Sequence, residues 1–133
     1  MTYQYPYGGV GIFHDFFGIN FSLVHATNTG AAWGLFAEFQ DYLLYFRIFF
    51  VAMLLVYFLF FNKQSGHRFS LSLIITGAIG NIIDYFVYGH VVDLFYFNFW
   101  GYSYPVFNVA DATIFSGIIL YLINSGLKKR YVS

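Results

Sequence analysis

Three long apolar runs dominate the pattern of hydrophobic and polar positions: Tyr42 to Phe61, Phe69 to Tyr88, and Val109 to Ser125. At about 1.5 Å per residue, each run is long enough to cross the roughly 30 Å hydrocarbon core of a bilayer, and the pattern predicts three transmembrane helices. Arg47 sits near one end of the first run, where its long side chain can snorkel to the headgroups. The first two runs are joined by the polar turn Asn62-Lys63-Gln64-Ser65-Gly66-His67-Arg68, and Lys128-Lys129-Arg130 follows the third. Two crossings separate these polar segments, so they lie on one side of the membrane. They hold every Lys and Arg except Arg47, which predicts that this side is the cytoplasm.

That topology places residues 1 to 40 and the segment from Gly89 to Asn108 on the outer side. The first 40 residues contain no spanning run and no signal peptide of the usual form. An outward N-terminal segment therefore carries the expectation of a preceding transmembrane helix, with Met1 as an internal methionine. Asn20-Phe21-Ser22-Leu23-Val24-His25 alternates polar and apolar residues, and Asn28-Thr29-Gly30 is a turn signal ahead of Ala31-Ala32-Trp33-Gly34-Leu35-Phe36. These pieces predict a small β element on the outer membrane face. Gly8-Gly9-Val10-Gly11 lacks the following Lys-Ser/Thr and helix of a phosphate-binding loop.

Composition narrows the chemistry. The chain is 59% hydrophobic and only 9% charged, far from the balance of a soluble domain. A formal net charge of +0 provides no electrostatic footprint for nucleic acid. With no Cys, the chain has neither a thiolate nucleophile nor a cysteine-ligated metal. His14, His25, His67 and His90 form no pair at metal-ligand spacing, so neither metal nor other cofactor is expected. Ser70, Ser72 and Ser116 lie in apolar runs, outside any Gly-x-Ser-x-Gly elbow.

Against this background, Asn81, Asp84, Asp93, Asn108 and Asp111 stand out. A carboxylate near the bilayer centre costs roughly 2.5–3.5 kcal/mol on insertion scales, so three Asp within 28 positions call for a polar cavity, water or a catalytic use. Helix rise places Asn81 and Asp84 about 20 and 24 Å from the cytoplasmic end of their run. Gly77, Asn81, Asp84 and Tyr88 share one helical stripe, which should face the bundle, with Gly77 and Gly80 allowing close helix approach. Two kinds of reading remain open here. Asn108 and Asp111 have the spacing of a helix cap with an acidic third residue, and Asn81 and Asp84 suit interhelical hydrogen bonding. Alternatively, Asp93 and Asp111 form an acid/base pair, or the acids bind a proton or cation in a small carrier.

Four ordered blocks then resemble the lipoprotein signal peptidase (signal peptidase II) family. They are Asn28-Thr29-Gly30-Ala31-Ala32-Trp33-Gly34, Gly80-Asn81-Ile82-Ile83-Asp84, Gly89-His90-Val91-Val92-Asp93, and Pro105-Val106-Phe107-Asn108-Val109-Ala110-Asp111. The resemblance implies an all-α integral membrane protein with four helices, of which this chain shows three, and a small extracytoplasmic β-cradle. It implies a catalytic dyad of Asp93 and Asp111, with Asn28, Gly30, Asn81, Asp84, Asn108 and Ala110 shaping the substrate site. It further implies a monomeric enzyme of the bacterial inner membrane that cuts diacylglyceryl-modified prolipoproteins just before the lipidated cysteine. Two departures stand out. The family's first helix, which carries an Asp and a Lys, has no counterpart here, and Tyr85 occupies the position where the family usually has Arg.

Overall fold

The computed structural model describes residues 8–28 and 37–132. Its elements follow the chain as β1 (Val10–Phe16), β2 (Ile19–Asn28), α1 (Gln40–Val56), α2 (Ser65–Tyr88), β3 (Val91–Phe99), β4 (Tyr102–Ser103) and α3 (Val109–Val132). A 3-10 turn at Ala37–Phe39 leads into α1, and a π-helical turn at Tyr57–Phe61 extends it. Three helical stretches, Gln40–Phe61, Ser65–Tyr88 and Val109–Leu127, are long and apolar enough to cross a membrane. The three helices of spanning length expected from the apolar runs are thus present, and the expected small β element is an antiparallel sheet. Contacts divide the chain into two compact units, one formed by residues 1–40 and 84–108, the other by 41–83 and 109–133.

The helical unit packs through small residues. A methyl group at Gly77 would lie 2.5 Å from the Ala110 carbonyl oxygen and 2.7 Å from Ile114 Cγ1, while one at Gly117 would lie 2.7 Å from both the Ser70 carbonyl oxygen and Ile74 Cγ1. Glycine at these two positions lets α2 and α3 approach backbone to backbone, the usual means of helix association where lipid removes the hydrophobic driving force. Large apolar side chains such as Phe46, Phe49, Phe60, Phe115 and Leu122 are exposed, as suits helices solvated by acyl chains. At the opposite end of this pair, Asn124 Nδ2 donates to the Gly66 carbonyl oxygen (2.6 Å) and the buried His67 ring packs on Tyr121 with centroids 4.4 Å apart. Arg68 lies over the Phe58 ring at 4.5 Å, so the polar turn between α1 and α2 also grips its own helix ends.

The other unit is a four-stranded antiparallel sheet in the order β1-β2-β3-β4. β2 and β3 are registered from Ile19 opposite Phe99 to Asn28 opposite Val91, with an irregularity between Leu23 and Ala26. Phe107 forms an isolated bridge with Phe95, bringing the chain back beside the middle of β3 just before α3 begins. Over Asn20 to Leu23 the alternation along β2 is opposite to that of a water-facing sheet. Asn20, Ser22 and Val24 are buried, whereas Leu23 is exposed and Phe21 half-exposed. Phe21 stacks on Phe97 at 4.5 Å, and Phe97 in turn lies 5.6 Å from Phe99 and 6.0 Å from Phe107. These phenylalanines form one continuous aromatic face, as period-two side-chain alternation requires.

Both hairpins turn on an aromatic-glycine pair. Phe17 (φ 53°) and Gly18 (φ 81°) connect Phe16 to its partner Ile19, and Trp100 (φ 50°) and Gly101 (φ 85°) connect Phe99 to Tyr102. Positive φ at both central residues marks type I′ turns, whose first position favours Asn, Asp or Gly. Holding an ordinary L-residue there costs roughly 1–2 kcal/mol.

Candidate active site

The polar residues singled out above are distributed over the two units, and each aspartate of the suggested dyad has an asparagine amide as partner. In the sheet unit, Asp93 lies on β3 and is only 3% exposed. Asn108 Nδ2 donates to Asp93 Oδ1 (3.1 Å) and also to the Val92 carbonyl oxygen (3.2 Å). This geometry follows from the Phe95–Phe107 bridge, which holds residue 108 alongside the start of β3. Asn108 occupies the position immediately before α3, but its amide nitrogen is committed to strand β3. The cap-like spacing therefore describes only part of what this residue does.

Asp84 belongs to the same unit. It lies four residues before the end of α2, and its Oδ2 accepts from the Val92 N–H at 3.4 Å, tying the start of β3 to the end of the helix that precedes it. The intervening turn at Gly89 has φ 75°, a backbone conformation that glycine adopts without a Cβ clash. Asn28 is the last residue of β2, paired with Val91. Gly30 lies outside the described residues.

In the helical unit, Asn81 Nδ2 on α2 donates to Asp111 Oδ1 in the first turn of α3 at 2.9 Å. Ala110 is the contact residue beneath this bond. Its carbonyl faces Gly77, and its Cβ would meet a methyl group at Gly80 at 3.4 Å. Small residues at 77, 80 and 110 thus bring α2 and α3 close enough for a short side chain on one to reach a short side chain on the other. Asp111 also stands where the helix dipole favours a carboxylate. The sheet unit therefore brings together Asp84, Asp93 and Asn108, with Asn28 ending the adjacent strand, and the helical unit brings together Asn81, Ala110 and Asp111.

Val92 is a participant that reading the sequence overlooked. Its N–H and C=O are both used, by Asp84 and Asn108 respectively, so one peptide segment couples two of the polar residues. Backbone roles of this kind leave no trace in residue type, because any non-proline residue supplies the same groups.

Carboxylates held by directed amide donors are suited to proton transfer, since their orientation is fixed before a substrate arrives. Comparisons with known proteins narrow the chemistry further. A family profile described as "Signal peptidase (SPase) II" matches residues 2–127. The chain is 43% identical over 110 residues to a lipoprotein signal peptidase of Chlamydia pneumoniae, covering 80% of this chain and 65% of that protein. It is 44% identical over 107 residues to a lipoprotein signal peptidase of Clostridium tetani, covering 77% of this chain and 67% of the relative. Among solved structures, a bacterial membrane enzyme determined by the in meso method superposes with a TM-score of 0.76 at 29% identity, over 92% of this chain and 72% of that one. The chain thus spans 65% and 67% of the length of these two curated relatives.

Proposed function

The chain belongs to the signal peptidase II family, and from that premise we propose that it acts as an aspartic endopeptidase of the membrane, removing signal peptides from diacylglyceryl-modified prolipoproteins by cutting before the lipidated cysteine. The observation that carries this reading is the repeated asparagine-aspartate pair, Asn108 with Asp93 and Asn81 with Asp111. In this proposal the two aspartates work as one dyad. One carboxylate takes a proton from a water molecule, which attacks the scissile carbonyl carbon. The other, carrying a proton, hydrogen-bonds the carbonyl oxygen and then helps the amine depart. Each asparagine fixes the direction of one carboxylate and is a positioning residue. Asn28, Gly30, Asp84 and Ala110 shape the surroundings of the dyad. Neither metal nor cofactor takes part.

The proposed substrate suits such an enzyme, because an acyl anchor and an apolar signal helix both hold the cleavage point near a membrane interface. We place the protein in the bacterial inner membrane as a monomer, with the dyad at the extracytoplasmic face. The basic turn between α1 and α2 supports that orientation. Cleavage of a lipidated prolipoprotein by the full-length enzyme in vesicles tests the proposal. Asp93→Asn and Asp111→Asn should each lower the cleavage rate by roughly 10²–10⁴-fold or more while leaving expression and membrane insertion intact. Wild-type cleavage by either variant would end the dyad assignment.

A further inference from the structure

We propose that the paired hairpin tips Phe16-Phe17-Gly18 and Trp100-Gly101-Tyr102 form a single aromatic wedge that inserts into the headgroup–acyl boundary of the bilayer. The two turns are adjacent and stapled to each other. Trp100 donates its backbone N–H to the Gly18 carbonyl oxygen (2.9 Å) and its indole Nε1–H to the Phe17 carbonyl oxygen (2.9 Å). A side chain at Gly18 would run into the Trp100 indole, so the tips interlock.

Three independent features point to lipid as the occupant. First, both type I′ turns place a large aromatic in the left-handed position where a polar Asn or Asp would be relaxed and well hydrated. The result is exposure rather than packing, with Phe17 81% and Trp100 75% exposed and Phe16 and Tyr102 also open. Second, the indole N–H is already satisfied within the tip, so the ring presents apolar surface without an unpaired donor. Third, β2 is inverted over Asn20 to Leu23 and the edge strand beside it is apolar and open. Polar Asn20 and Ser22 are buried, while β1, an edge strand carrying Val10, Ile12, Phe13 and Phe16, is exposed along almost its whole length. In water, an exposed apolar edge of this kind invites aggregation. At a bilayer interface the same edge finds both apolar contact and water for its backbone groups, and Trp, Tyr and Phe are favoured there.

Chain connectivity is compatible with this placement. β3 begins three residues after the membrane-length helix α2 ends, α3 begins two residues after Phe107, and the turn at Ala37–Phe39 runs directly into α1. The sheet is tethered to membrane-length helices on both sides in sequence. The inference does not depend on peptidase chemistry.

The chain has two Trp and no Cys, which makes the test direct. With Trp33→Phe as background, Trp100 is the sole indole in the full chain reconstituted into phosphatidylethanolamine–phosphatidylglycerol vesicles. Its emission should be blue-shifted and quenched by brominated phospholipids, more strongly by bromines near the headgroup than by those near the chain ends. A nitroxide on Phe17→Cys should be relaxed more by oxygen than by a water-soluble nickel complex. Phe17→Asn keeps the turn, since Asn is the residue such turns favour, and should reduce bromolipid quenching of Trp100. Water-like emission insensitive to bromolipid, or a nitroxide dominated by nickel, would overturn the proposal. So would blue-shifted emission that bromolipids leave unquenched, since the tip would then be buried against protein, a second copy included.

Discussion

The two aspartates at the centre of the proposed reaction are fixed by the same type of partner but by different architecture. Asp93 sits on a strand, nearly sealed from solvent, and its partner Asn108 is held by a backbone bridge and also bonds the Val92 carbonyl. Asp111 sits in the first turn of a half-exposed helix, and Asn81 reaches it only because glycine and alanine let two helices nearly touch. One arrangement rests on sheet register, which slips only in whole-residue steps that would reverse every side chain. The other rests on helix separation, which side-chain bulk tunes continuously. The contrast teaches that the two halves of one proposed site should fail in different ways.

The largest effect should come from bulk between the helices. Gly77→Leu pushes α2 from α3 at the Ala110 carbonyl, costing toward the upper end of about 1–3 kcal/mol and breaking the Asn81–Asp111 bond while leaving the sheet intact. Thermal unfolding in detergent, with amide exchange of β2 and β3 as the control, checks both parts. If β3 loses protection along with α3, the two halves are not separable.

Next in size is Asn108→Ala, which removes an amide donor from a buried carboxylate and from a partly buried strand carbonyl. A loss of about 1–3 kcal/mol is expected, with slowed cleavage and faster exchange at the start of β3. Asn81→Ala should cost less in stability, near the roughly 0.6 kcal/mol average of polar contacts between membrane helices, because lipid-embedded polar groups find other partners. Equal stability losses for the two alanine variants would mean that strand and helix hold their aspartates equally firmly.

Much of the helical half was legible from residue order. Apolar runs of spanning length have few alternatives, and the stripe through Gly77 and Asn81 runs along the α2 face that packs on Ala110, Ile114 and Asp111. Asp84 illustrates where that reading ended. It lies on the same stripe, yet near the end of α2 its carboxylate accepts from the strand backbone at Val92, a partner that no helical wheel identifies. The sheet was harder to read. Asn20 to His25 alternates, but the alternation does not say which face is buried, and here Asn20 and Ser22 are inside while Leu23 is exposed. The hairpins at Phe17-Gly18 and Trp100-Gly101 escaped notice because their turns lack the Asn-Gly or Asp-Gly pair that usually announces them. β1 went unread for the same reason, since a strand without a recognised turn at its end is only a run of mixed residues. Of the proposed site, the residue types and spacings were visible, whereas the hydrogen bonds joining Asn108 to Asp93 and Asn81 to Asp111 depend on three-dimensional contacts 15 and 30 residues apart.

The central claim is that Asp93 and Asp111 act on one water, and cysteine proximity measures it most directly in a chain that has no native Cys. In the full-length protein in vesicles, Asp93→Cys with Asp111→Cys should form an intrachain bridge under mild oxidation, or with a short bis-methanethiosulfonate, as readily as the hydrogen-bonded control pair Asn81→Cys with Asp111→Cys. If the control pair bridges while thiols at 93 and 111 stay free, the two acids do not meet and the aspartic peptidase account is contradicted.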